Sequence, residues 1–175
     1  MANREALREL QTRLAARLQA ARAEGLSVSS WLAVEAAGHR FLLPLGQSGE
    51  IFSWPGVQAV PYTQPWFLGV ANLRGALTGV IDLAGLLGEA APRSEQAFAE
   101  ASLLALNAAL SVNAALLVDR LAGLRGTDAF VSSEPPEEGA PPFFGTNYLD
   151  AQGVRWQELN LQALSQHPAF LSISA

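Results

Sequence analysis

The apolar positions of this chain fall into two textures. Over residues 3–24, Leu7, Leu10, Leu14 and Leu18 recur at spacings of three and four, with Ala filling the gaps. That period predicts an amphipathic helix with those leucines on one face. Glu5–Arg8 and Glu9–Arg13 lie on its solvated side at supportive spacings. Gly25 stands where a helix C-cap belongs. From Ser29 onward the apolar runs shorten to strand length. Residues 31–36 and 39–45 flank an Ala37-Gly38 turn. Gly46 and Gly49 interrupt the chain before residues 50–54, and Pro55, Pro61 and Pro65 exclude a long helix from the next segment.

Two further apolar runs, residues 67–71 and 76–83, stand either side of Asn72-Leu73-Arg74-Gly75. Glycine accepts backbone that other residues avoid, so the segment reads as strand, tight corner, strand. Arg74 sits at that corner, where a long cation is hard to bury unpaired. No base or nucleophile lies beside it, so the corner suits docking of another protein better than catalysis. Residues 82–87 read as a short helix capped by Asp82 and closed by Gly88. The polar connector 88–101 is expected to separate two subdomains. Residues 102–108 and 114–121 have the Ala and Leu content of helices, but Asn and Ser interrupt the apolar face and two strands are expected. Residues 126–142 are acidic and proline-rich and read as a loop. Residues 143–149 and 154–159 form a hairpin through Asp150-Ala151-Gln152-Gly153. A short C-terminal helix follows over 159–166 and stops at Pro168, after which Phe170, Leu171 and Ile173 pack back onto the body. About nine short strands split by a connector predict a mostly β protein of two small barrels with terminal helices.

Composition narrows the functional classes. Half of the 175 residues are hydrophobic and 15% are charged, as in a core-rich globular chain. The net charge of −5 opposes a nucleic-acid backbone. Arg4, Arg8, Arg13, Arg17 and Arg22 concentrate in the first helix, leaving six Arg against thirteen acids after residue 24. That balance also disfavours a basic groove for single-stranded nucleic acid. All eleven basic residues are Arg. The chain has no Cys, hence no disulfide framework or thiolate metal site, which fits a reducing cytoplasm. The start of the chain lacks the apolar core of a signal peptide. The longest apolar stretch, residues 103–118, carries Asn107, Ser111 and Asn113 and falls short of the roughly 20 residues a spanning helix needs. A soluble, cytoplasmic protein is expected.

Candidate chemistry is sparse. His39 and His167 are far apart in sequence and read as structural or surface residues. No His, Asp and Glu set has metal-ligand spacing, no phosphate loop is present, and no cofactor is expected. Glu134, Glu137 and Glu138 read as a solvated acidic loop. Trp31, Trp54, Trp66 and Trp156 read as core or rim residues; Trp54 and Trp66 flank the proline-rich segment, where one of them is placed to anchor an interface. For Arg74 the alternative to partner contact is an internal ion pair with Asp82 or Glu50. A small β-barrel hydrolase or ligand-binding protein is the alternative function. A deep concave site with convergent Asp, His or Ser would favour it.

The segment Gly69-Val70-Ala71-Asn72-Leu73-Arg74-Gly75, followed by Val80-Ile81-Asp82-Leu83, resembles the CheW family, the coupling proteins of bacterial chemosensory arrays. Upstream, Gly38-His39-Arg40-Phe41-Leu42-Leu43-Pro44-Leu45 is similar to that family's first hairpin, and Glu50-Ile51 to its next acidic-aliphatic pair. Downstream, Ala115-Leu116-Leu117-Val118-Asp119-Arg120-Leu121 resembles its Val-Asp strand. The N-terminal helix, the approach through Trp66 and the Trp156, Pro168 and Phe170 ending resemble the branch serving type IV pili and twitching motility. Gly79 in place of a proline, and Asn160-Leu161 in place of Asp-Leu, depart from the pattern.

The resemblance implies two five-stranded SH3-like barrels sharing a core, with an N-terminal helix over residues 1–26 and a CheW-like domain over 27–175. The first barrel is expected at about 29–88 and the second at about 101–165. It implies a non-catalytic adaptor that binds the regulatory domain of a CheA-type histidine kinase and the cytoplasmic hairpin tip of a chemoreceptor. Association with a membrane-bound receptor array, without membrane insertion, follows from those partners. Receptor binding is carried over to Arg74, with Asn72 and Gly75 shaping the corner. Glu50, Ile51, Gly69 and Leu73 are weaker carry-overs to partner contact.

Overall fold

The computed structural model describes residues 2–23, 30–89 and 91–175. It opens with helix α1 (Ala2–Ala23). Strands β1 (Ser30–Ala36), β2 (His39–Pro44) and β3 (Ser48–Ser53) follow, the last two joined by a single 3-10 turn at Leu45–Gln47. The proline-rich segment leads to β4 (Phe67–Leu73), β5 (Ala76–Asp82) and the one-turn helix α2 (Leu83–Leu86). Helix α3 (Glu95–Glu100) lies in the connector, before β6 (Ser102–Leu106), β7 (Ala114–Val118), β8 (Arg120–Gly126) and β9 (Phe130–Glu134). Strands β10 (Phe144–Asp150) and β11 (Arg155–Leu159) lead to α4 (Leu161–Gln166) and α5 (Pro168–Leu171).

The strands form a six-stranded sheet, β8-β1-β2-β11-β10-β9, and a five-stranded sheet, β3-β6-β7-β5-β4. Side chains alternate across a strand, and here both sides of each sheet are covered. Leu32, Val34 and Ala36 of β1 meet Leu104, Leu106, Leu116 and Val118 of β6 and β7 in one core between the sheets. The intervening Leu103, Ala115 and Leu117 turn into the five-stranded sheet's own interior with Ala71, Leu73 and Val80. Trp31, Ala33, Leu42 and Trp156 fill the interior of the six-stranded sheet. Burial on both faces explains why β6 and β7 are almost continuously apolar. Ala and Leu there form strands, as expected, because packing outweighs intrinsic propensity.

The division of the sheets differs from the expected barrels at 29–88 and 101–165. Strands β1 and β2 belong with β8–β11, while β3–β7 make the other sheet. The chain crosses between sheets at Leu45–Gln47 and at Asp119, not in the connector. The connector's polar composition marks a surface segment; the true crossings are one to three residues long and leave no compositional trace. Two further strands were hidden. The run 114–121 breaks at Asp119 into β7 and the start of β8, and the acidic loop contains β9.

Helix α1 forms as its period predicts, with a shifted face. Leu14 and Leu18 are buried, whereas Leu10 is 45% exposed. Gln11 takes the inward position at 7% exposure, donating to Ser102 Oγ at 2.7 Å and accepting from Ser53 Oγ at 2.9 Å. Burying this amide is tolerated because both ends are satisfied. The Glu9–Arg13 pair forms at 2.5 Å. The expected Gly25 cap lies outside the described residues. Pro168 does not simply end α4: it occupies the first turn of α5, where a missing N–H costs nothing.

The β10–β11 turn is held by Asp150. Its Oδ1 accepts from the amides of Val154 and Gln152, both at 2.9 Å, and its Oδ2 from Trp156 Nε1 at 3.1 Å. The Val154 amide is the main cause of a carboxyl pKa below its ordinary value; partial desolvation opposes it, and Trp156, Gln152 and Arg125 reinforce it. A depressed pKa stabilises the fold above the unfolded value of about 3.9, and this contribution fades as pH falls through the lower folded value. Asp150→Asn is therefore expected to lower the urea midpoint at pH 7, with the gap to the parent narrowing below about pH 4. A gap that is constant from pH 7 to the acid limb would contradict this.

Candidate functional site

Strands β4 and β5 pair with Asn72 opposite Leu77 and Leu73 opposite Ala76, so the loop between them is just Arg74-Gly75. Both loop residues have positive φ, +50° and +82°. That is the geometry of a two-residue hairpin whose twist matches its strands. Asn72 Oδ1 accepts the Gly75 amide at 2.7 Å and locks the turn. Asn113 Nδ2 donates to the Leu77 carbonyl and braces the hairpin from the segment before β7.

Arg74 projects from this tip with 73% of its side chain exposed, and its Nη2 lies 2.7 Å from Glu50 Oε1. Asp82, the other expected partner, does not reach it. The Glu50 contact has a topological meaning. Glu50 is on β3 and Arg74 follows β4, the two outer strands of the five-stranded sheet. Their meeting shows the sheet curled until its edges face each other. An exposed pair of this kind contributes about 0–1 kcal/mol to stability, so the guanidinium stays available to another molecule.

The other expected contact residues divide. Asn72 and Gly75 are at the exposed tip, and Glu50 is partly exposed beside it. Ile51 and Leu73 are buried, one in the shared core and the other inside the five-stranded sheet, so their side chains support the tip rather than form its surface. Gly69 is buried where β4 passes the backbone of Gln58. Sequence reasoning passed over Leu77, which is 66% exposed at the tip. Its signal was phase: Thr78 and Val80 point inward, so Leu77 stands on the outward side of β5.

The remaining polar groups have structural employment. His167 caps α5, accepting the Ala169 amide on Nδ1 at 3.1 Å, while His39 Nε2 lies 3.8 Å from Glu89 Oε1. Neither contacts a hydroxyl among the described residues. Glu134 and Glu137 both engage Arg155. Trp31 and Trp156 are buried; Trp54 stacks on Phe98 at 4.6 Å, and Trp66 packs against the shared core. Among the described residues no three His, Asp or Glu side chains are placed to hold a metal ion, and no helix is long and apolar enough to cross a membrane.

Asp82 begins α2, but its carboxylate does not cap the helix. It is drawn instead to Arg93, whose Nη1 lies 2.6 Å from Asp82 Oδ2. Arg93 also donates from Nε and Nη2 to Asp119 Oδ1 at 3.0 and 2.7 Å, and Asp119 Oδ2 accepts the Ala37 amide at 2.8 Å. Desolvation alone would lower the Arg93 pKa; the hydrogen bonds and charges of Asp82 and Asp119 outweigh it and raise the value. Arg93 thereby ties the end of β5, the chain crossing at Asp119 and the β1–β2 turn together.

Two curled sheets around a shared core, with a charged hairpin tip exposed on one of them, make up a CheW-like module. The chain belongs to the CheW family: the CheW-like domain model matches residues 30–169. It is 33% identical over 154 residues to Protein PilI of Pseudomonas aeruginosa, a match covering 85% of this chain and 83% of that protein. Its fold is similar to the crystal structure of the scaffolding protein TtCheW from Thermoanaerobacter tengcongensis, with a TM-score of 0.65 at 17% identity, over 82% of this chain and 96% of that one.

Proposed function

We propose that this protein is a non-catalytic adaptor that couples chemoreceptors to a CheA-type histidine kinase in a bacterial signalling array controlling pilus-based motility. Membership of the CheW family supports the adaptor role, and the similarity to PilI supports the pilus branch. The single observation that carries the reading at residue level is Arg74. A residue with a side chain at φ +50° is strained by about 1 kcal/mol or more where Asn or Gly would be relaxed. The large cation kept at such a position is mostly exposed and adds little to the fold. Its use is outward. Arg74 and Leu77 grip the helical hairpin tip of a receptor, Asn72 and Gly75 hold the turn, and Glu50 orients the guanidinium. Strand edges elsewhere pair with the kinase's regulatory domain. Contacts of this size are individually modest and gain strength through array multivalency. The adaptor works at a membrane-bound array without entering the bilayer.

The test is capture of a purified receptor hairpin by the parent, Arg74→Ala and Arg74→Asn, with thermal melts alongside. Capture should fall about tenfold or more in both variants, the loss typical of a central Arg contact. Arg74→Asn should melt at or slightly above the parent, because Asn tolerates the turn. Undiminished capture by both variants would remove Arg74 from the receptor interface.

A further inference from the structure

Along the side of α1 turned away from the body, every fourth residue forms the line Glu5-Glu9-Arg13-Arg17. All four are exposed, as are Ala16 and Ala20 beside them, while Gln11, Leu14 and Leu18 face inward. The order of the line is acid, acid, cation, cation. Within a single helix that order is unfavourable. Only Glu9 and Arg13 meet as opposite charges, at 2.5 Å, and the other two steps set like charges four residues apart. The helix dipole favours acids early and cations late, yet Arg4 and Arg8 in the first turns run against it. From residue 30 onward every arginine has an acidic or aromatic partner, whereas Glu5 and Arg17 have none among the described residues.

Laid antiparallel to a copy of itself, the line becomes self-complementary. With a twofold axis level with Gln11, Glu5 stands opposite Arg17 of the second copy and Glu9 opposite Arg13, and the symmetry repeats both pairs. A parallel arrangement would set Glu on Glu and Arg on Arg. The commonest crossing of two helices, at about −50°, lays such i, i+4 ridges alongside each other. At 1.5 Å per residue all four charges lie within about 9 Å of the axis, inside the reach of long side chains. Ala16 and Ala20 leave room for the backbones to approach, and Arg4 and Arg8 lie about a third of a turn or more from the midpoint of the line. The apolar face of α1 is already buried against the body, so it offers nothing to a bilayer, and the two acids on the line oppose a polyanion. We propose that α1 is a homotypic docking surface through which two copies of this protein associate, antiparallel, by Glu5–Arg17 and Glu9–Arg13 ion pairs across a twofold axis. The exposed Glu9–Arg13 contact within one helix exchanges for its counterpart between copies at little cost. The contact is separate from the Arg74 tip and does not depend on the receptor-binding role given to it.

The test is sedimentation equilibrium of the full chain from about 0.01 to 1 mM, the range suited to a contact smaller than a standard interface. The parent should show a monomer–dimer equilibrium within it. Two double variants of identical composition and net charge separate register from bulk charge. Glu9→Arg/Arg13→Glu keeps unlike charges opposite at both positions and should dimerise as the parent does. Glu5→Arg/Arg13→Glu sets like against like at both positions and should associate at least about tenfold more weakly. A complementary pair guards against a folding defect. Glu5→Arg/Glu9→Arg and Arg13→Glu/Arg17→Glu should each be monomeric alone and form a mixed dimer when combined, a rescue that a misfolded helix could not give. A parent that stays monomeric at about 1 mM, equal dimerisation of the two variants of identical composition, or no rescue on mixing would each overturn the proposal.

Discussion

Arg93→Ala is expected to lower the unfolding free energy by about 3 kcal/mol, measured as a reduced urea midpoint at pH 7. The Arg93 side chain is nearly buried between Asp82 and Asp119, which stand at the ends of the paired strands β5 and β7. Removing the guanidinium leaves the Asp82 carboxylate buried without its cation, and Asp82 Oδ1 already has no hydrogen-bond partner. Breaking a buried pair by deleting one member costs roughly 3–5 kcal/mol; the partial exposure of Asp119 puts this case at the lower end. Arg93→Lys should recover only part of the loss, because an ammonium cannot reproduce the forked contacts to two carboxylates. A midpoint for Arg93→Ala within error of the parent would show that the cluster does not join the sheets energetically.

Gly69→Ala should be nearly as damaging, at about 2–4 kcal/mol. Gly69 has φ +142°, and a Cβ there would lie 2.3 Å from the Gln58 carbonyl oxygen. That oxygen cannot retreat easily, because it accepts the Val70 amide at 2.9 Å while the Gln58 amide donates back to Val70 at 2.8 Å. The substitution must therefore open this bridge or distort β4. Receptor capture by Gly69→Ala should decline only as far as the folded fraction declines, the reverse of Arg74→Ala. Full stability with lost capture would instead make Gly69 a contact residue.

Much of the architecture was legible in the residues because local chemistry dictated it. The Leu period of α1, the Ala37-Gly38 and Arg74-Gly75 turns and the Asp150–Gly153 corner all form where their residue types require. What escaped was non-local. Nothing in the neighbourhood of Asp119 says that the chain changes sheets there, because that depends on Arg93 and the Ala37 amide meeting it. Gln11 displaced Leu10 from the buried face for a similar reason: Ser53 and Ser102 supply the partners that make an amide acceptable inside. Arg74 was singled out at a glycine-marked corner and given a receptor role by the family resemblance; of the two internal partners weighed against that role, Glu50 is the one it meets. Asp82 was read as a helix cap from its position, and a distant arginine outcompeted the helix for its carboxylate.

The interleaving of the sheets sets an order on how the molecule can be completed. Residues 48–118 contain every strand of the five-stranded sheet, so that half closes upon itself as soon as β7 emerges from the ribosome. β1 and β2 come first yet must wait longest. One neighbour, β8, comes only after the whole middle sheet has been made, and the other, β11, which pairs with β2, is the last strand of the fold to be made. A nascent chain halted anywhere before residue 155 therefore carries the apolar faces of Trp31, Leu32, Val34 and Leu42 without their final cover.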